Sequence, residues 1–177
     1  KGYPVLKWSK VDGANKYEIY YATAKNGQYK KLTTTSKLTY TYTKAAAGKE
    51  YFFKVRAYGS STATAGAYCE PLRAVKVLAT PKLTLTAKQS TGQNVIKWGK
   101  ITGATVYELQ CSVGGGSYKT IASTSKLTYT HNGLAGGNTY TYRLRAKSGV
   151  SDAASAYSTV KTAVIKCAAP TVSVALN

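Results

Sequence analysis

Gly133-Leu134-Ala135-Gly136-Gly137-Asn138-Thr139-Tyr140-Thr141-Tyr142-Arg143-Leu144-Arg145-Ala146 is the stretch that decides the fold. Paired glycines mark a turn, and beyond it Tyr140, Tyr142, Leu144 and Ala146 alternate with Thr141, Arg143 and Arg145. This is the period-two pattern of a strand with one face in a core and the other in water. An earlier strand, Tyr51/Phe53/Val55/Ala57 with Lys54 and Arg56 between, has the same form behind a degenerate corner, Lys44 to Glu50. Both belong to a longer repeat. Lys7-Trp8, Val11 to Ala14 and Tyr17 to Ile19 return as Lys97-Trp98, Ile101 to Ala104 and Tyr107 to Leu109 at an offset of 90, and Ser36-Lys37-Leu38-Thr39-Tyr40-Thr41 returns letter for letter as Ser125 to Thr130 at 89. Two copies of one small domain therefore make up the 177 residues. A tandem array supplies length, valency or spacing more readily than one catalytic cleft.

Alternation continues outward from these strands, in Leu6/Trp8, Tyr17/Ile19/Tyr21 and Leu38/Tyr40/Tyr42, and no stretch has a helical period. Turn signals separate the runs, among them Asp12-Gly13, Asn26-Gly27, Gly114-Gly115-Gly116 and Asn132-Gly133. Many short strands at such spacing predict an all-β sandwich.

These residues resemble a bacterial fibronectin type III repeat. The resemblance rests on a Trp near the end of the second strand (Trp8, Trp98), the Gly-Ala-x-x-Tyr-Glu lead into the third (Gly13 to Glu18, Gly103 to Glu108) and the corner at Gly133 to Ala146. It implies two tandem fibronectin type III-like, immunoglobulin-like β-sandwiches, with Trp8 and Trp98 between the sheets and Tyr51 and Tyr140 as tyrosine corners whose hydroxyls bond back to the preceding turn. The expected boundaries are a first repeat over 1–80 that lacks its opening strand, a complete repeat over 81–169, and the opening strand of a following repeat over 170–177. Pro170 to Asn177 matches Pro81 to Lys88 at an offset of 89. The two ends are thus complementary. Val172, Val174 and Leu176 are the residues expected to enter the vacant core positions of a neighbouring molecule if the strand is donated head to tail.

Lys and Arg number 25 against 6 acids, a net charge of +19, which favours anionic partners. Most of these lysines are expected on solvated faces that discourage strand-edge pairing. The densest surplus falls on the outward side of the sixth strand, where Lys54, Arg56, Arg143 and Arg145 form a candidate polyanion-binding stripe. Glu18 and Glu108 on the neighbouring third strand are expected to pair with those cations across the strands. No nucleic-acid reader motif accompanies the charge, so nucleic acid is not an expected partner. No apolar run approaches a membrane span, so no insertion is expected. The absence of an initial Met or signal peptide is read as that of an excerpt from something longer.

Catalytic and cofactor chemistry finds little material. The single histidine, His131, beside the Asn132-Gly133 turn, is expected to be solvated and cannot supply a triad or a multi-histidine metal site in both copies. The six acids Asp12, Glu18, Glu50, Glu70, Glu108 and Asp152 form no evident pair of the kind that glycoside hydrolysis needs. Cys69, Cys111 and Cys167 occupy non-equivalent positions without C-x-x-C spacing, and Cys111 reads as a small core residue. No cofactor is expected. The sequence thus predicts a non-catalytic spacer or interaction array of a secreted or cell-surface bacterial protein. Cell-wall polymers, anionic glycans or host surface proteins are its expected partners. The alternatives are an adhesin module for cell-wall or host polyanions, an accessory module of a carbohydrate-active enzyme, and a filament subunit joined by strand donation.

Overall fold

The computed structural model describes residues 2–167, 169, 172 and 173. Their alternating sequence becomes thirteen strands, broken only by three single turns of 3-10 helix. The chain divides into two units, Lys1–Ala79 with Lys147–Ala154, and Thr80–Ala146 with Ser155–Asn177.

In the first unit, β1 (Val5–Lys7) pairs antiparallel with β4 (Thr39–Thr41), and a second sheet runs in the order β3 (Lys30–Thr35), β2 (Lys16–Ala22), β5 (Lys49–Tyr58), β6 (Leu72–Lys76). The register of β2 on β5 sets Glu18 opposite Arg56 and Tyr20 opposite Lys54. Side chains inside the sandwich follow the alternation: Leu6, Ile19, Tyr42, Tyr51 and Phe53 form the buried cluster, with Trp8, Tyr21, Leu32 and Val55 packed on its margin. Strand β2 carries a bulge against β3 between Ile19 and Tyr20.

The second unit is the fuller sandwich. One sheet is β11 (Thr128–His131), β8 (Gln93–Trp98), β7 (Leu83–Lys88); the other is β10 (Lys119–Thr124), β9 (Val106–Val113), β12 (Thr139–Lys147), β13 (Lys161–Val164). Its core holds Ile96, Trp98, Tyr107, Leu109, Tyr142, Leu144 and Ile165, all buried. The step from the second to the third strand is built alike in both copies. Gly13 and Gly103 take φ of 75° and 84°, a left-handed conformation that suits glycine. The amides of Val11 and Ile101 donate to the hydroxyls of Tyr17 and Tyr107 at 3.0 and 2.7 Å.

Both tyrosine corners form. Tyr51 Oη accepts from the Ala46 amide at 2.8 Å and Tyr140 Oη from the Ala135 amide at 2.9 Å. The degenerate corner of the first copy therefore keeps the bond, because its geometry needs a backbone N–H and not a particular side chain.

Two expectations change. Trp98 is 6% exposed between its sheets, but Trp8 is only half-buried, because no strand equivalent to β7 covers it among the described residues. His131 is not a solvated turn residue. It ends β11 half-buried, and its Nδ1 lies 3.0 Å from Tyr142 Oη. Pro170, Thr171, Val174, Ala175, Leu176 and Asn177 lie outside the described residues, and so do the expected strand-donation positions Val174 and Leu176. Val172 is described, and is 83% exposed.

Candidate basic and aromatic face

The outward face of the four-stranded sheet gathers the predicted basic residues in each unit, and it also brings aromatic rings that spacing alone did not mark. In the second unit the Arg143 guanidinium is sandwiched between two rings, 3.9 Å from the centre of Tyr118 and 4.1 Å from that of Tyr157. Its Nε donates to Gln110 Oε1 at 2.8 Å. The Arg145 guanidinium lies 4.8 Å from the centre of the Tyr157 ring and pairs with Glu108 at 2.8 Å, and the Tyr157 hydroxyl donates to the same carboxylate at 2.6 Å.

The first unit repeats the device with its own letters. Lys54 Nζ sits 4.3 Å over Tyr29, and the Arg56 guanidinium 4.7 Å over Tyr68, whose edge meets Tyr20 at 5.3 Å. Arg56 and Lys31 both hold Glu18, at 2.7 and 2.5 Å. The rings keep the repeat offset, Tyr29 to Tyr118 and Tyr68 to Tyr157, and so do Lys54 to Arg143 and Arg56 to Arg145. That coincidence of tyrosines at one offset was the available signal for the ladder.

The geometry divides the four cations into two kinds. Arg56 and Arg145 are ion-paired, as the cross-strand reading expects. Arg143 and Lys54 make no salt bridge among the described residues and rest on tyrosine faces instead, an arrangement worth about 0.5–2 kcal/mol according to its exposure. Their positive charge is therefore oriented but not cancelled. The glutamates lie beneath this layer, Glu18 2% and Glu108 9% exposed. Hydrogen bonding from Lys31 is the chief cause holding the Glu18 carboxyl below its ordinary range. The Arg56 hydrogen bond adds to it, and burial opposes both. Burial, then hydrogen bonding to Glu108, pushes the Tyr157 phenol up, so it stays a donor at neutral pH.

Two acids thought to be unpaired meet on one guanidinium. Within the first unit Arg73 reaches Glu50 and Asp152, each at 2.6 Å, and the Asp152 carboxyl is held down at about 2, chiefly by the hydrogen bond from Arg73. With a cation between them, these carboxylates cannot share a proton as an acid/base pair does. No group of three or more His, Cys, Asp or Glu is placed to hold a metal among the described residues. The cysteines are free thiols, with Cys111 buried as expected of a core residue and its thiol pushed up by burial.

Among the described residues, the second unit holds a polar cluster with no equivalent at the matching positions of the first. Asn94, fully buried, donates from Nδ2 to Tyr142 Oη at 3.0 Å, and that hydroxyl faces His131 Nδ1. Burial holds the imidazole below its ordinary value of 6.5. The groups around it are Tyr129, Tyr140 and Tyr142, with Cys111 and Lys119 lining the same recess. None of these is an anion at neutral pH, so nothing compensates a charged ring. A depressed histidine stabilises the fold fully above the unfolded value, and that contribution is lost as pH falls below it, because the unfolded chain takes the proton first. The second unit is expected to lose melting temperature between about pH 7 and pH 5.5. His131→Tyr, which installs the residue found at Tyr42 in the first copy, should flatten the profile in that window. An unchanged slope in calorimetry would show that His131 does not carry it.

The strand order of the second unit, three strands against four with a tyrosine corner, is that of the fibronectin type III sandwich, and the chain carries that fold in tandem. It is similar to a two-domain fibronectin type III segment of chicken tenascin, with a TM-score of 0.68 and 15% identity over 92% of this chain and 90% of that one. It is also similar to the chicken interferon gamma receptor alpha chain, with a TM-score of 0.57 and 13% identity over 92% and 91%. At these identities the likeness is one of fold. No family model matches the chain, and no curated protein matches it by sequence. No helix among the described residues is long and apolar enough to cross a membrane.

Proposed function

We propose that the chain is a non-catalytic spacer and interaction array of a secreted or cell-surface bacterial protein. One observation carries this reading: both units spend the same outward residues on the same ladder of cation, ring and buried carboxylate. A feature repeated at one offset on successive units serves each unit's own integrity, or a partner that is itself repetitive, as cell-wall polymers and glycans are. The longest strands, of eight to ten residues at about 3.3 Å each, give units on the order of 30 Å long, so an array gains reach by adding copies. Exchanging both units for unrelated sandwiches of equal length in the parent protein should preserve the display of its other domains. Loss of display would point to a specific recognition role.

A second reading, adhesion to anionic polymers, is favoured by Lys54 and Arg143, whose charge no carboxylate cancels among the described residues. Replacing both with Ser should reduce retention on teichoic acid or heparin, and wild-type binding should weaken with salt, since exposed charges are screened over about 8–10 Å at physiological ionic strength. Replacing Arg56 and Arg145 should instead cost stability first. Retention indifferent to salt and to all four substitutions would leave these residues with a purely structural role.

A further inference from the structure

In the first unit's larger sheet β5 lies between β2 and β6, so the turn that leaves β2 and the run that leads into β6 stand on either side of Lys54. Between them is an open recess of about 410 Å³, lined by residues that include Lys25, Tyr29, Lys54, Tyr68, Cys69 and Glu70. Both walls are pinned. On one side the Tyr29 hydroxyl donates to the Lys25 carbonyl at 2.9 Å, and the Gly27 amide donates to that of Ala24 at 3.1 Å. On the other the Cys69 amide donates to the Val55 carbonyl at 2.9 Å, and the Val55 amide donates back to Cys69 Sγ at 3.3 Å.

The charges in this recess are not spent on one another. Lys25, Lys54 and Glu70 all line it, and none of the three forms an ion pair among the described residues. Opposite charges thus face one space of a few hundred Å³ with room left between them, the form of a small-ligand site. The second unit lacks these parts. At the repeat offset of 89, Lys25, Asn26 and Glu70 become Gly114, Gly115 and Thr159. Arg143, at the position of Lys54, is clamped between two tyrosines, where Lys54 rests on Tyr29 alone.

We propose that this recess binds one acidic sugar residue, a uronate within a glycan. The ammonium groups of Lys25 and Lys54 against the carboxylate of Glu70 leave a single surplus positive charge, the complement of a monoanion. Lys54, held 4.3 Å over the Tyr29 ring, meets the sugar carboxylate, which a neutral sugar cannot supply. Glu70 accepts from sugar hydroxyls and repels a phosphate dianion. Asn26, in the same lining, both donates and accepts. Tyr29 and Tyr68 add aromatic wall, whose negative ring faces attract the polarised C–H bonds of a pyranose. Lys54 is shared with the adhesion reading, on which the site rests to that extent; Lys25, Asn26 and Glu70 belong to the recess.

The test is titration of the 177-residue chain with galacturonate trisaccharide by calorimetry, with alkylation of Cys69 by iodoacetamide, resolved from Cys167 by peptide mass, as a second readout. Saturating trisaccharide should slow alkylation of Cys69 at least about fivefold and leave Cys167 unchanged, since Cys69 lines the recess. The methyl-esterified trisaccharide should bind about tenfold more weakly, having lost its charge-assisted hydrogen bonds. The double variant Lys25→Gly with Glu70→Thr should lose a similar factor; it takes the second unit's residues and keeps the Lys25 carbonyl that holds Tyr29. Arg143→Ser should leave trisaccharide binding unchanged while reducing retention on heparin, so the recess and the adhesion reading fail separately. Absence of binding, an unprotected Cys69, an equally tight methyl ester, binding that survives the double variant, or loss on Arg143→Ser overturns the proposal.

Discussion

Trp98→Ala is expected to cost the second unit about 3–5 kcal/mol, the range for truncating a fully packed aromatic, whereas Trp8→Ala should cost the first unit only about 1–2 kcal/mol. The two tryptophans occupy equivalent positions and each packs on the tyrosine nine residues later, at 5.6 Å for Trp8 with Tyr17 and 5.7 Å for Trp98 with Tyr107. Only the cover differs. Trp98 lies under β7, while Trp8 borders an open groove and already spends part of its ring in water. A domain of this size holds about 5–15 kcal/mol in total, so the loss at Trp98 consumes a large share of it. Urea unfolding of the two variants, followed by circular dichroism, measures both. Equal losses would mean that the ring of Trp8 is as well covered in solution as that of Trp98.

Glu18→Ala is expected to destabilise the first unit by about 2–3 kcal/mol at neutral pH. The carboxylate is buried and takes charged hydrogen bonds from Lys31 and Arg56; its removal sets two cations side by side with no anion between them. Lys31 and Arg56 keep part of their solvation, with side chains 48% and 25% exposed, which holds the loss below that of a fully enclosed pair. The sign with pH follows from the direction of the shift. Glu18 is held below its ordinary value of 4.5, so the wild type enjoys this contribution above that value and loses it as pH falls through the depressed one. The gap between wild type and Glu18→Ala should therefore narrow on going from pH 7 to pH 2. A gap that stays constant would place the cost in lost packing and not in charge.

The strands were legible because alternation depends only on which face of a sheet is wet, a property each residue carries by itself. Tyr51 and Tyr140 were legible for a related reason, since a corner needs one hydroxyl at one distance from one turn. Trp8 was not. Its burial depends on a covering strand such as β7, and although the repeat register leaves the first copy without that strand, the resemblance that placed Trp8 between the sheets takes the cover for granted. For His131 the signal was present and was outweighed by the adjacent Asn132-Gly133 turn: its counterpart is Tyr42, a core residue, so the ring was due to point inward. The aromatic half of the ladder escaped because Tyr29, Tyr68, Tyr118 and Tyr157 lie far from their cations along the chain. Only pairing of the strands brings guanidinium and ring together.

The identical hexapeptides Ser36 to Thr41 and Ser125 to Thr130 pose a problem of address during synthesis. Each feeds a strand onto a partner, Tyr40 opposite Leu6 in one unit and Tyr129 opposite Ile96 in the other, and nothing in the shared letters tells a growing chain which partner is its own. Exchange between neighbouring repeats is a characteristic failure of such arrays. The next residue breaks the tie. A correctly placed β11 delivers His131 to the hydroxyl of Tyr142 beside Asn94, and a correctly placed β4 delivers Tyr42 against the rings of Tyr51 and Phe53. In a swapped pairing the imidazole enters an aromatic pocket without its partner, an error of about 1–3 kcal/mol for each stranded polar group. The polar trio that sets the second unit apart thus gives two segments of identical sequence different preferred partners.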